Sequence, residues 1–420
     1  MAETPVPERN WAGNYTYQAQ KLHRPRTIEQ VQEIVARAAS VHALGSRHSF
    51  NNIADSSELI SLADLPADVL VEHEAQTVSF GGGMTYGNLS KTLNDEGVAL
   101  HTLASLPHIS VAGAVATATH GSGVTCSNLA TAVARLEMVT SNGEILKASR
   151  GEPDFNGLVV GLGALGVVTR ITLDIQPAYE MKQQVFEGLS WKALYDHFDE
   201  ITSYGYSVSI FTRWGQMNDQ VWVKSRVDEP GQVEGNLFGA IAATVDRHPI
   251  IGHDPTSCTP QLGRPGLWSD RLPHFLMDYT PSSGQEIQSE YLIPRRHALA
   301  ALETLRALAD RIRPLLKVSE LRRVAADRLW MSMCYEEDCV GIHFTWKREP
   351  DAVQEIVIQI EDALAPFSAR PHWGKVFHAE ATAIAPLYQR HADFVHLVER
   401  LDPRGAFRNA WLKTHMLGDK

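Results

Sequence analysis

The sequence predicts an α+β protein in two parts: a glycine-punctuated first half of short strands and helices, and a second half built on an antiparallel sheet covered by helices on one side. Three observations carry this expectation. Before Pro177, short alternating segments are separated by glycine turns; after it, the order becomes strand, helix, strand, strand, helix. The length of 420 residues gives a prior of two or three domains with ample core.

In the first half, Thr27-Ile-Glu-Gln30 reads as a capping box, and Ile28, Val31, Ile34, Val35 and Ala38 continue at helical spacing. A strand over 41–44 runs into Gly45, and another over 77–80 ends in Gly81-Gly-Gly83. Thr85 can cap a helix carrying Leu89 and Leu93, with Gly97 as its stop. Strands over 134–140 and 144–148 flank Asn142-Gly143, a two-residue hairpin signal.

Residues 159–173 read VVGLGALGVVTRITL, so Gly161, Gly163 and Gly166 match the dinucleotide fingerprint. That fingerprint needs a strand before the glycines and a helix after them. Here a short helix or turn precedes, and Val167, Thr169, Ile171, Leu173 and Ile175 alternate as a strand afterwards. A glycine turn packed closely on a neighbour is the better reading.

In the second half, strands are expected over 207–212 and 221–227, then an irregular stretch over 229–284. Next come a strand over 287–293, a helix over 295–313, strands over 318–325 and 340–346, and a helix over 351–367. Alternation sends Val340, Ile342, Phe344 and Trp346 to one face and His343 and Thr345 to the other; Glu320 and Arg322 share a face opposite Leu321. With helices on the apolar side, the other side shows a carboxylate, a guanidinium, an imidazole and a hydroxyl. A solvated face with a cross-strand ion pair is one reading. A pocket wall for a densely hydroxylated ligand is the favoured one, because the mix lacks mobile side chains.

Net charge of −11 shows no basic stripe, which argues against nucleic acid and anionic membrane. The acidic start MAETPVPERN has no apolar stretch, so no secretory signal is expected, and no run of about 18 apolar residues is present. Cys126, Cys258, Cys334 and Cys339 lack CxxC spacing and suggest reduced cytoplasmic thiols. Glu336-Glu-Asp338 reads as a solvated turn, and no metal is expected.

Four segments stand out: LGSRHSFN over 44–51, ASLPHISVAGAVATATHGSG over 104–123, PHWGKVF over 371–377 and DPRGAFRN over 402–409. Together they resemble the vanillyl-alcohol-oxidase type of FAD flavoproteins, in its aldonolactone-oxidase branch, and within that the bacterial alditol oxidases. The resemblance spans essentially the whole chain. It implies a two-subdomain FAD-binding domain over 1–178, a substrate (cap) domain over 179–375, and a C-terminal segment over 376–420 that returns to the first.

The resemblance further implies an FAD attached covalently through His48. A neutral imidazole is nucleophilic enough to attack the flavin's 8-methyl carbon. Gly45, Ser46, Arg47, Ser49, Phe50 and Asn51 would surround it. Ser105, Ser110, Gly113, Thr117, Thr119, His120 and Gly121 would cradle the cofactor, with Val168 touching it through its main chain and His372 facing the flavin. Lys375 and Arg322 would stabilise alkoxide character, with His343 a possible proton acceptor. Ser105, Glu320, Arg322, Thr345, Lys375 and Gln288 would bind a small polyol. Burial beside Arg322 should lower the pKa of Lys375. The implied reaction is oxidation of a terminal alcohol of xylitol, sorbitol or a similar alditol, with dioxygen reduced to hydrogen peroxide; a cytoplasmic protein and, by default, a monomer are expected. The alternative is an aldonolactone oxidase or dehydrogenase.

Overall fold

The computed structural model describes residues 9–229, 235–278 and 286–418. Of the irregular stretch expected over 229–284, residues 230–234 and 279–284 lie outside the described residues.

Among the described residues the first half holds three sheets, the smallest being the pair Val98–Ala99 and Gln176–Pro177. Lys21–His23, Glu58–Ile60 and Val41–Ala43 form a parallel sheet in that order, against which the helix Ile28–Arg37 buries Val31 and Val35. Thr27 caps that helix through the Gln30 amide, as the sequence suggested. An antiparallel sheet follows, ordered Val69–Glu72, Thr77–Gly81, Val167–Asp174, Val133–Val139 and Ile145–Ser149. The hairpin between its last two strands is not the expected two-residue turn. The Gly143 amide donates to the Thr140 carbonyl and the Thr140 amide to the Glu144 carbonyl, leaving three residues in the loop. Only Gly143 takes positive φ (83°), whereas the two-residue turn needs it at both central positions.

The second half is a ten-stranded antiparallel sheet. Its central order is Glu180–Ser190, Met217–Arg226, Ser207–Thr212, Leu316–Val324, Cys339–Trp346, Ile287–Pro294. The eleven-residue strand Glu180–Ser190 was not foreseen. The helix expected over 295–313 is broken at Leu308, whose ψ of 2° leaves the helical range. Helices Ala298–Ala307 and Pro350–Leu364 cover one face, packing Leu302, Leu305, Val353, Ile356, Val357 and Ile360 with Val340, Ile342, Phe344 and Trp346. Each such large side chain contributes about 1.5–3 kcal/mol by leaving water. The opposite face is therefore free to be polar, as the alternation required.

After Arg370–Pro371, the chain turns back. Phe394, Leu397 and Val398 join the cluster containing Phe155 and Leu158, and Phe407 packs with Val31 and Val35. Asn409 Nδ2 donates to the Ile53 and Asp55 carbonyls, tying the tail to the first half. The four cysteines are free and buried. Among the described residues no helix is long and apolar enough to cross a membrane.

Candidate active site

A cavity of about 460 Å³ runs between the first-half sheets and the polar face of the large sheet. One side is the loop following Val41–Ala43. The Trp11 amide donates to the Arg47 carbonyl (2.9 Å), and Asn10 and Asn14 amides hold the Ser49 and Phe50 carbonyls (2.8 and 2.7 Å). Arg47 sits at φ 64°, so the loop turns sharply there. His48 faces the cavity with its ring stacked on Trp11 at 5.0 Å, and its buried Nδ1 has no partner. Burial pushes its pKa down to about 4, so the imidazole is neutral at pH 7.

Small residues bring the second segment against this loop. A Cβ on Gly45 would meet Ser110 Oγ at 2.4 Å, and one on Gly113 would meet it at 2.7 Å. The Ser110 amide donates to Ser46 Oγ (2.9 Å), locking loop to loop. Ser105, Ser110, Gly113, Thr117, Thr119 and His120 all line the cavity, as do Val168, His372 and every expected residue from Gly45 to Phe50. Two expected residues do not. Asn51 instead holds the Trp373 and Lys375 carbonyls (2.8 and 2.7 Å), which fixes the turn bearing Lys375. Gly121 packs against Leu103, whose carbonyl oxygen a Cβ would approach to 2.6 Å.

The 161–166 turn follows a helix, Phe155–Val159, and precedes a strand, so it is not the dinucleotide fingerprint. Its glycines do serve close packing: a Cβ on Gly163 would lie 2.1 Å from His42 Cε1. Gly161, Gly163 and Gly166 line the cavity as well.

On the large sheet, register sets His343 between two carboxylates, paired with Glu320 on one side and Glu290 on the other. Glu290 was not singled out in the sequence, and it organises the site. Its carboxylate is fully buried, accepts from Arg322 Nη2 (2.7 Å) and Lys375 Nζ (2.5 Å), and lies 3.3 Å from His120 Nε2. Burial alone would raise its pKa, but Lys375 and Arg322 hold it well below the ordinary range. Gly341 leaves room for this, since a Cβ there would touch Glu290 Oε1 at 3.0 Å.

Lys375 also donates to His343 Nδ1 (2.8 Å), so the proton of the neutral imidazole belongs on Nε2, which faces Thr345 Oγ1 at 3.0 Å. Burial lowers the Lys375 pKa, in the expected direction, while Glu290 opposes the shift and Arg322 adds to it. Burial pushes His343 down to about 4. Glu320 accepts from His274 Nε2 (2.9 Å), another residue the sequence did not reveal. Burial would raise Glu320, yet Arg322 and His274 hold it below its usual value. Gln288 lines the cavity and donates to Glu286 Oε1 (2.7 Å). His120, Glu290 and His372 bring ligand atoms within 4.8 Å of one another, but Glu290 is already committed to two cations.

Comparison with known proteins agrees with this geometry. A family model described as FAD binding domain matches residues 19–149, and one described as D-arabinono-1,4-lactone oxidase matches residues 280–415. An alditol oxidase from Streptomyces sp. (strain IKD472 / FERM P-14339) is 46% identical over 409 residues, covering 96% of this chain and 97% of the relative. An L-gulono-1,4-lactone dehydrogenase from Mycobacterium tuberculosis (strain ATCC 25618 / H37Rv) is 27% identical over 427 residues, with the same coverage. A crystal structure of cholesterol oxidase from B. sterolicum shares the fold with a TM-score of 0.78 at 14% identity, covering 99% of this chain and 100% of that one.

Fold and comparisons together define an oxidoreductase with an FAD-binding domain and an antiparallel cap sheet. The residues present fit that cofactor: neutral imidazoles with unpartnered nitrogens face the cavity at His42 and His48, and Gly45 and Gly113 allow close approach. Within this class, the chain belongs to the alditol oxidase family.

Proposed function

We propose that this protein oxidises the terminal primary alcohol of alditols such as xylitol and sorbitol to the aldose, with FAD held covalently by His48 and dioxygen reduced to hydrogen peroxide. The observation that carries this reading is the 46% identity to an alditol oxidase over nearly the full length of both chains. Four free cysteines accord with a cytoplasmic setting.

The flavin supplies the hydride acceptor. The protein's own work is to bind the polyol, orient the reacting carbon and remove the hydroxyl proton. Arg322 and Lys375 face the substrate oxygen and favour its alkoxide. When a Lys375 N–H turns from His343 to that oxygen, Nδ1 of the neutral imidazole is freed, and the leaving proton ends on the Lys375–His343 pair. Glu320 accepts hydrogen bonds from the next hydroxyl, and Ser105, Thr345 and Gln288 serve those further along. Arg322, Lys375, Glu290 and Glu320 sum to zero charge, which suits an uncharged polyhydroxyl ligand.

A lactone-oxidising reading draws on the family model matched over residues 280–415. Mixing the protein anaerobically with xylitol, sorbitol or a γ-lactone decides between them. Bleaching of the flavin by the alditols and not by the lactone is expected; the reverse pattern overturns the proposal.

A further inference from the structure

His42 is the least satisfied buried polar side chain around the cavity, and no role in the alditol chemistry uses it. It lies on the Val41–Ala43 strand, three residues before Gly45, and is 3% exposed. Neither ring nitrogen has a well-formed hydrogen-bond partner, although both are buried. The ring lies on the cavity wall, pressed against Gly163, where positive φ (74°) and the missing Cβ let the 161–166 turn reach it. A Cβ there would overlap the imidazole, so this approach is built into the fold. Burial holds His42 neutral, with a pKa pushed down to about 4 against the pull of the Ala43 backbone. A neutral imidazole offers one donor and one acceptor, and leaving both unused in a dry site is costly. A ligand that fills the cavity must complete them.

The neighbours of the ring indicate which part of the ligand does so. Lys375, His343, Arg322 and Glu320 stand on or beside the large sheet, and the redox-active ring must meet them there. His48, on the proposed reading, would hold the edge of that same ring. On the first-half side the cavity is also lined by Thr117, Gly161, Gly163, Gly166 and His42, and the Leu162 amide ties their turn to the Ala116 carbonyl (3.1 Å), at the opposite end of the helix Val111–Ala116 from Ser110, which packs on Gly45. The nucleotide half of the cofactor is left for this region, and its ribose and adenine offer both donors and acceptors.

We infer that His42, presented by Gly163, is a cofactor-binding residue that hydrogen-bonds the adenosine diphosphate half of FAD. The inference rests on the FAD-binding reading and deepens it. It also gives the 161–166 glycines a role in nucleotide binding by a route unrelated to the strand–glycine–helix fingerprint, through exposure of a side chain instead of helix amides.

The test measures binding, not turnover. His48→Ala removes the covalent link, so affinities for free FAD and free riboflavin can be titrated by flavin fluorescence. In that background His42→Phe keeps the ring's bulk and removes both polar atoms, and His42→Asn retains a donor and an acceptor. The expected result is FAD affinity weakened about tenfold or more by His42→Phe, less by His42→Asn, and riboflavin affinity unchanged. Unchanged FAD affinity overturns the inference, and so does an equal loss for riboflavin, which would place His42 on the flavin half or in the fold. As a control independent of His48→Ala, the flavin-bearing fraction of purified His42→Phe chain should fall below wild type. If neither wild type nor His48→Ala binds FAD, the cofactor reading itself fails and takes this inference with it.

Discussion

Lys375 donates its Nζ to Glu290 Oε2 across 2.5 Å, and the receiving carboxylate is fully buried. The same carboxylate accepts from Arg322, so one anion holds both cations of the site in place. Breaking such a pair from one side leaves an uncompensated buried charge, at a cost of about 3–5 kcal/mol.

Glu290→Gln keeps the shape and removes the charge. Because Glu290 raises the pKa of Lys375 against burial, its loss should lower that pKa further. The alkaline limb of the reductive half-reaction should therefore move to lower pH, with a lower melting temperature. A wild-type pH profile in this variant would show that Glu290 does not hold the lysine's charge.

Lys375→Met preserves the apolar stem and removes the ammonium. General acid–base catalysis is worth about 10²–10⁴-fold and charge stabilisation about 10²–10³-fold, so flavin reduction by xylitol in stopped flow should slow by at least about 10². A change of less than a few-fold would remove Lys375 from the chemistry.

Glu320→Gln weakens an acceptor for the second hydroxyl. Its kcat/KM for xylitol should fall about 10–100-fold, while a primary alcohol without a second hydroxyl should react as before. Equal losses for both substrates would argue that Glu320 acts through Arg322 instead.

Acid sensitivity follows from His274 and His343, each held down to about 4 by burial against an ordinary value of 6.5. The folded state binds fewer protons than the unfolded one between those values. Stability is thus full above pH 6.5 and lost as pH falls toward 4, by at most about 1.4 kcal/mol per pH unit for each group. Glu290 and Glu320, with lowered values, add their loss only below about 4.5. Melting temperatures recorded from pH 7 to 4 should decline through this window, and a flat curve would contradict the burial of these neutral rings.

Much of the polar cavity wall was legible because alternation in a strand is a geometric rule. Once Val340, Ile342, Phe344 and Trp346 are assigned to a covered face, His343 and Thr345 have only one other side to occupy. The same rule places Glu290 beside Gln288, but nothing local shows that its carboxylate meets Lys375, 85 residues away. His274 lies in a stretch without periodicity, and only tertiary contact brings it to Glu320. The strand Glu180–Ser190 was hidden by its mixed polar pattern and by Gly188, which takes φ 78° within it. Likewise, GLGALG read correctly as a packed turn, yet its place on the cavity wall depends on how the Val167–Asp174 strand joins its sheet. Periodicity reports faces; it does not report which distant faces meet.

The proposed covalent bond at His48 is tested most directly by acid precipitation of purified wild-type protein and His48→Ala. Yellow colour that stays with the wild-type pellet and passes to the supernatant in the variant is the expected outcome. A wild-type pellet that loses its colour, or a variant pellet that keeps it, would contradict attachment at this imidazole.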